Sequence, residues 1–137
     1  MMNELTYVKQ MLSMGDYTLV ICSGGRVHVS EDKGIRPLLD TALSDEEWKG
    51  AYAADKIVGK AAAMLYAKLG VAAVYAGVIS KPAMRVFEKF GIEYEYGTFT
   101  PNIINREGTG MCPMEQLVKD CETADEAFEK LKNKIYG

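Results

Sequence analysis

Between Gly70 and Ser80 the chain reads VAAVYAGVI, a nearly unbroken apolar run. A run this short cannot span a bilayer, and it lacks the polar alternation of a strand with one wet face. It therefore predicts a central strand buried on both faces, a placement that requires helices above and below one sheet. The punctuation around it agrees. Gly70 ends a helical pattern just before the run; Pro82 starts another just after it, and Gly91 stops that one.

The remaining elements follow from period and turn chemistry. Leu5, Val8, Met11 and Leu12 share one helical face, which predicts an opening helix over 3–14. Thr18–Cys22 reads as a short apolar strand. Ser23-Gly24-Gly25 reads as a hairpin turn and Arg26–Ser30 as the alternating return strand. Pro37 opens a short helical turn carrying Leu38, Leu39 and Leu43. Ser44 and Glu47 have capping-box spacing ahead of Trp48. The clearest helix is expected over Asp55–Leu69, with Ile57, Val58, Ala61, Ala62, Leu65 and Leu69 as its apolar stripe. Ile92–Tyr96 alternates as a strand, Pro113–Cys121 reads as a helix, and Thr123 caps a last helix with Ala127, Phe128, Leu131 and Ile135 inward. The expected architecture is one domain over 1–137, a three-layer α/β/α arrangement around a mixed sheet.

Composition excludes some classes of function. The chain has 137 residues, a net charge of -3 and a pI near 5.2. A mildly acidic surface argues against non-specific binding to nucleic acid or membranes, which needs a dense basic face. The first residues, MMNELTYVKQ, lack the apolar core of a signal peptide, and three cysteines form no disulfide framework, so a cytoplasmic location is expected.

Three segments, GAYAADKIVGKAAAML, SKPAMRVFEKFG and NREGTGMCPMEQLV, resemble a family of uncharacterised bacterial proteins with a cytidine deaminase-like fold. That resemblance implies the fold over about Leu19–Leu131 and a tendency to form homo-oligomers, with the helix over Lys81–Phe90 available to pair across subunits. Zinc deaminases carry His/Cys-x-Glu and Pro-Cys-x-x-Cys at two helix starts, where the metal lowers the pKa of a bound water. Laid on those motifs, this chain offers Ala53-Ala54-Asp55 and Pro82-Ala83-Met84-Arg85-Val86. The ligand positions become Ala53, Ala83 and Val86, so no metal or other cofactor is expected, and zinc-dependent deamination is not. The one histidine, His28, falls on the hairpin. Cys112 and Cys121, at opposite ends of the expected helix, would stand ~13 Å apart, too far to share a metal.

The stretch FTPNIINREGTGMCPME, 99–115, gathers the polar groups that such a fold could use. Cys112 precedes Pro113 at an N-cap, where a helix dipole favours thiolate; it is a nucleophile or simply a small residue that fits a turn. Glu115, three positions on, is expected to bond back to that N-cap amide. Asn102, Asn105 and Arg106 can grip a phosphate or carboxylate, or serve turn chemistry alone. Asp55 is a candidate proton carrier or an N-cap. Lys56 and Lys60 are candidate ligand contacts or a solvated helix face. Ser80 and Lys81 sit at the strand edge where α/β folds bind ligands, or form an ordinary turn. Gly59, inside the expected helix, suggests close approach of another backbone or a ligand.

Three functions fit. The first is a zinc-free domain binding a small anionic ligand, nucleotide-like by analogy with the fold, through Lys56, Lys60, Ser80, Lys81, Asn102, Asn105, Arg106 and Glu115. The second is a thiol enzyme using Cys112 with Asp55 or Lys56 as proton handler. The third is a non-catalytic oligomeric regulatory module.

Overall fold

The computed structural model describes residues 3–137. Its elements are α1 (Glu4–Met14), β1 (Leu19–Ser23), β2 (Arg26–Ser30), α2 (Arg36–Leu43), β3 (Tyr52–Val58), α3 (Lys60–Leu69), β4 (Ala73–Ser80), α4 (Lys81–Phe90), β5 (Glu93–Thr100), α5 (Pro113–Val118) and α6 (Ala124–Tyr136). The sheet order is β2-β1-β3-β4-β5. β1 lies antiparallel to β2 and β3, while β3, β4 and β5 run parallel.

The layers follow from handedness. Two successive β-α-β crossovers, β3-α3-β4 and β4-α4-β5, advance in one direction, so right-handed connections place α3 and α4 on the same face. Ile21, Ala53, Val74 and Ala76 of the sheet pack there with Met64, Leu65, Phe87 and Leu131. α1 covers the opposite face through Val8 and Leu12, against Val20, Cys22 and Ala54. The result is the expected three-layer α/β/α fold with a mixed sheet. Among the described residues no helix is long and apolar enough to cross a membrane.

The hairpin turns as its glycines require: Gly24 and Gly25 both have positive φ, 55° and 86°, the condition for a two-residue turn matched to strand twist. The apolar run becomes β4, buried and paired on both edges. It is not the middle strand, however; β3 is.

That middle strand is the main departure from expectation. Residues 52–58 were read in part as the start of a helix, and they form a strand hydrogen-bonded on both sides. Alanine and lysine favour helix, and the spacing of Ile57, Val58, Ala61 and Ala62 imitates a helical stripe. Pairing to two neighbours overrides that local preference. Extended backbone at Gly59 (φ -101°, ψ -171°) separates strand from helix, and Ile57 is left 56% exposed rather than inward.

Smaller corrections have local causes. Ser44 and Glu47 build no capping box: Ser44 ends α2, with its hydroxyl donating to the Thr41 carbonyl, and Glu47 accepts from the Lys49 amide. Trp48 is buried nonetheless. β5 runs to Thr100 rather than Tyr96, and α5 stops at Val118, three residues before Cys121.

Gly77 of β4 would place a Cβ 2.7 Å from the Lys56 carbonyl oxygen of β3. Gly77→Val should therefore destabilise the protein by about 1–3 kcal/mol, although valine is the better strand former. Urea denaturation measures it; unchanged or increased stability would refute the close packing of β3 on β4.

Candidate functional site

Parallel strands in open α/β sheets present ligand sites beyond their carboxyl ends, and here the end of β3 opens into a cavity of about 460 Å³. Its walls include Leu19, Ile35, Leu38, Ile57 and Met114; its polar groups are Lys33, Asp55, Lys56, Arg106, Cys112 and Glu115. Lys33, Lys56 and Arg106 are exposed, and Cys112 is partly buried.

Asp55 is held by the break between β3 and α3. Its Oδ2 accepts from the Tyr66 hydroxyl at 2.7 Å, and its Oδ1 accepts from the Ile57 amide at 3.3 Å. Removal from water pushes its pKa up to about 7, and the bonds from Tyr66 and from the Ile57 and Lys56 amides only partly oppose that. Tyr66 is fully buried, and burial together with the Asp55 charge pushes its hydroxyl well above its ordinary range. A carboxyl poised near neutrality can accept or donate a proton at physiological pH. In a continuous helix, residues eleven apart would lie ~16 Å from each other. The strand-to-helix turn is what lets Asp55 and Tyr66 meet.

Glu115 does not bond back to its own N-cap as its spacing suggested. Its carboxylate crosses to α3, where Oε1 accepts from the Lys60 amide at 2.6 Å and Oε2 from the Ala61 amide at 2.8 Å. It is only 7% exposed. Burial raises its pKa, while the Ala61 and Lys60 amides and the Lys60 charge pull the other way. Gly59 explains the fit, because a Cβ there would stand 2.3 Å from Oε1. The close approach expected at Gly59 is real, but the approaching group is this side chain.

The other sequence candidates separate. The 101–112 loop folds on itself through an Ile104–Met111 bridge, the Asn105 amide bonding the Gly110 carbonyl and the Thr109 amide bonding Asn105 Oδ1. Asn105 is thus engaged in turn chemistry and lines neither cavity described here, while Arg106 reaches the Asp55 cavity. Cys112 caps α5 by position but makes no side-chain capping bond. Ser80 is fully buried and caps α4, accepting from the Ala83 amide at 3.2 Å. Lys81 is exposed on the first turn of α4 and also lines neither cavity. Lys60 and Asn102 line a second cavity of about 430 Å³ between α3, α4 and the 119–122 segment, with Glu115 on the wall between the two. Lys56 and Lys60 are not on one helix; they lie on β3 and α3.

Lys33, Tyr66 and Arg85 escaped the sequence reading. No spacing rule points to Tyr66 once β3 is read as helix, and Lys33 and Arg85 come from elements distant in sequence. Ala53-Ala54-Asp55 lies within β3, so it does not occupy the helix start assigned to it; α3 begins Lys60-Ala61-Ala62 and α4 begins Lys81-Pro82-Ala83. Neither start presents a thiol or imidazole, and both Glu115 oxygens are committed to amides. These residues do not fit a zinc ion of the deaminase kind.

A family model described as TM1506, domain of unknown function (DUF1893), matches residues 7–135. A crystal structure of a DUF1893 family protein (TM1506) from Thermotoga maritima superposes with a TM-score of 0.90 at 29% identity, covering 98% of this chain and 92% of that one. The apo dCMP deaminase of the cyanophage S-TIM5 aligns at a TM-score of 0.46 and 14% identity, over 68% of this chain and 93% of that one. No curated protein matches.

The raised pKa of Asp55 has a signed consequence for stability. The folded protein binds its proton more tightly than the unfolded chain does. The associated stability is fully present below the unfolded pKa near 4 and is lost as pH rises through about 7. Asp55→Asn should flatten the decline between pH 4 and 7, read from urea midpoints across that range. An identical pH profile in the variant would show that Asp55 titrates normally.

Proposed function

This chain belongs to the TM1506 family, a domain of unknown function (DUF1893), and we propose that it binds a small anionic molecule in the Asp55 cavity. One observation carries the reading. A carboxyl near neutrality, three exposed cations and a thiol, drawn from three separate segments, converge on one largely apolar cavity. Structural ion pairing does not account for the cations: none of Lys33, Lys56 and Arg106 takes part in an ion pair among the described residues. In this reading Arg106 and the two lysines hold the anionic group, with Arg106 offering a planar fork to two oxygens. The apolar walls take the body of the ligand, and Asp55 meets its polar inner end. A nucleoside phosphate has this division, as do smaller carboxylates with a planar body.

Thermal-shift measurements with nucleoside phosphates and carboxylate metabolites test the reading. A true ligand at a hundredfold excess over its Kd stabilises by about 2.7 kcal/mol, and Arg106→Ala should abolish most of that shift. Failure of every anion to raise Tm, together with no co-purifying molecule by native mass spectrometry, would end it.

A second reading, thiol chemistry, is favoured by the presence of Cys112 and Asp55 in the same cavity. Cys22 and Cys121 are buried, and desolvation raises both thiols. Iodoacetamide should therefore modify Cys112 faster than either. Equal rates across the three would remove Cys112 as a nucleophile.

A further inference from the structure

We propose that the second cavity, on the far side of Glu115 from Asp55, is a separate site for a phosphate monoester. It is lined by four cations, Lys60, Arg85, Lys89 and Lys119, and by the Asn102 side chain. Two of the lysines are already oriented. Lys60 Nζ donates to the Lys119 carbonyl at 2.6 Å, and Lys89 Nζ donates to the Glu122 carbonyl at 2.6 Å. Carbonyls position these ammonium groups without cancelling their charge. Asp120 and Glu122 also line the cavity, but no ion pair among the described residues joins either of them to these cations. The third carboxylate, Glu115, faces the α3 amides.

Arg85 is the one guanidinium of the set. Its guanidinium makes no hydrogen bond or ion pair within the described residues, and it sits between Lys81 and Lys89 at four-residue spacing along α4. Like charges stacked at that spacing oppose one another on a helix. The one carboxylate of α4, Glu88, accepts from the Tyr94 hydroxyl, while Lys81, Arg85 and Lys89 follow one another at four-residue spacing. A doubly charged tetrahedral oxyanion suits this set: a planar fork, point charges and an amide, which together exceed the needs of one carboxylate. Met64, Val86 and Met111 give the cavity an apolar side, so the ester's organic part has a surface to cover. Apart from the shared wall residue Glu115, the site stands on residues other than those of the Asp55 cavity, and either can fail without the other.

Isothermal titration of the full chain with phenyl phosphate and with inorganic phosphate tests it, at low and high salt. Arg85 is exposed, so Arg85→Ala leaves the core intact; circular dichroism confirms this. Phenyl phosphate should bind more tightly than inorganic phosphate, with affinity falling as salt screens the charges. Arg85→Ala should raise its Kd at least about tenfold, Arg85→Lys should recover part of the loss, and Arg106→Ala should leave this Arg85-dependent binding in place. Equal affinity for both probes, still lost in Arg85→Ala, would keep the phosphate site and remove the ester. No binding to the unaltered protein, or a Kd unchanged in Arg85→Ala, would overturn the proposal. A loss confined to Arg106→Ala would overturn it too, by moving the anion to the Asp55 cavity.

Discussion

The contact on which the rest of the site depends is the Glu115 carboxylate lying across the first amides of α3. A helix start leaves N–H groups without partners, and a buried start needs an acceptor. Here the acceptor comes from α5, 54 residues along the chain from Ala61. The charge also sits favourably against the positive end of the α3 dipole. This one side chain therefore docks α5 and the 101–112 loop onto the sheet's carboxyl end. Arg106 and Cys112 reach the Asp55 cavity, and Asn102 the neighbouring one, because that docking holds.

The two carboxyls of the site, Glu115 buried and Asp55 partly exposed, are solvated by the protein in different ways. Glu115 receives two short amide bonds and lies beside the Lys60 charge, all of which favour its ionised form against the cost of burial. Asp55 has one hydroxyl and weaker amide support, and desolvation dominates strongly enough to bring it near neutrality. A group held there is expensive for a fold to keep without use, and such groups cluster where ligands or protons are handled. One carboxylate is thus a structural cap and the other is available for chemistry, though both lie within reach of the same cavity.

Much of the architecture was legible along the chain. Gly24-Gly25, Pro82, Gly91 and the Ser80 and Thr123 caps mark their elements locally, because turn geometry and capping depend on adjacent residues. Tyr52–Val58 was not legible, because its strand state is set by hydrogen bonds to β1 and β4 rather than by its own alanines. That single misreading carried others with it. It put Asp55 at a helix start, joined Lys56 to Lys60 on one face, and hid Tyr66. Asn105 and Ser80 differ in the opposite way: they are engaged by local hydrogen bonds of the kind the sequence does suggest.

Local chemistry by itself determined the hairpin, most of the helices, the buried strand over 73–80 and the polar character of the 99–115 stretch. These are properties of neighbouring residues, and period, φ freedom and capping suffice to read them. Only the tertiary structure decided that β3 is a strand, that Glu115 caps α3 instead of its own helix, and that Asp55, Arg106 and Cys112 share one cavity while Lys60 and Arg85 share another. Each of those outcomes depends on groups far apart in sequence meeting in space, where sheet pairing and desolvation outweigh the preferences of single residues.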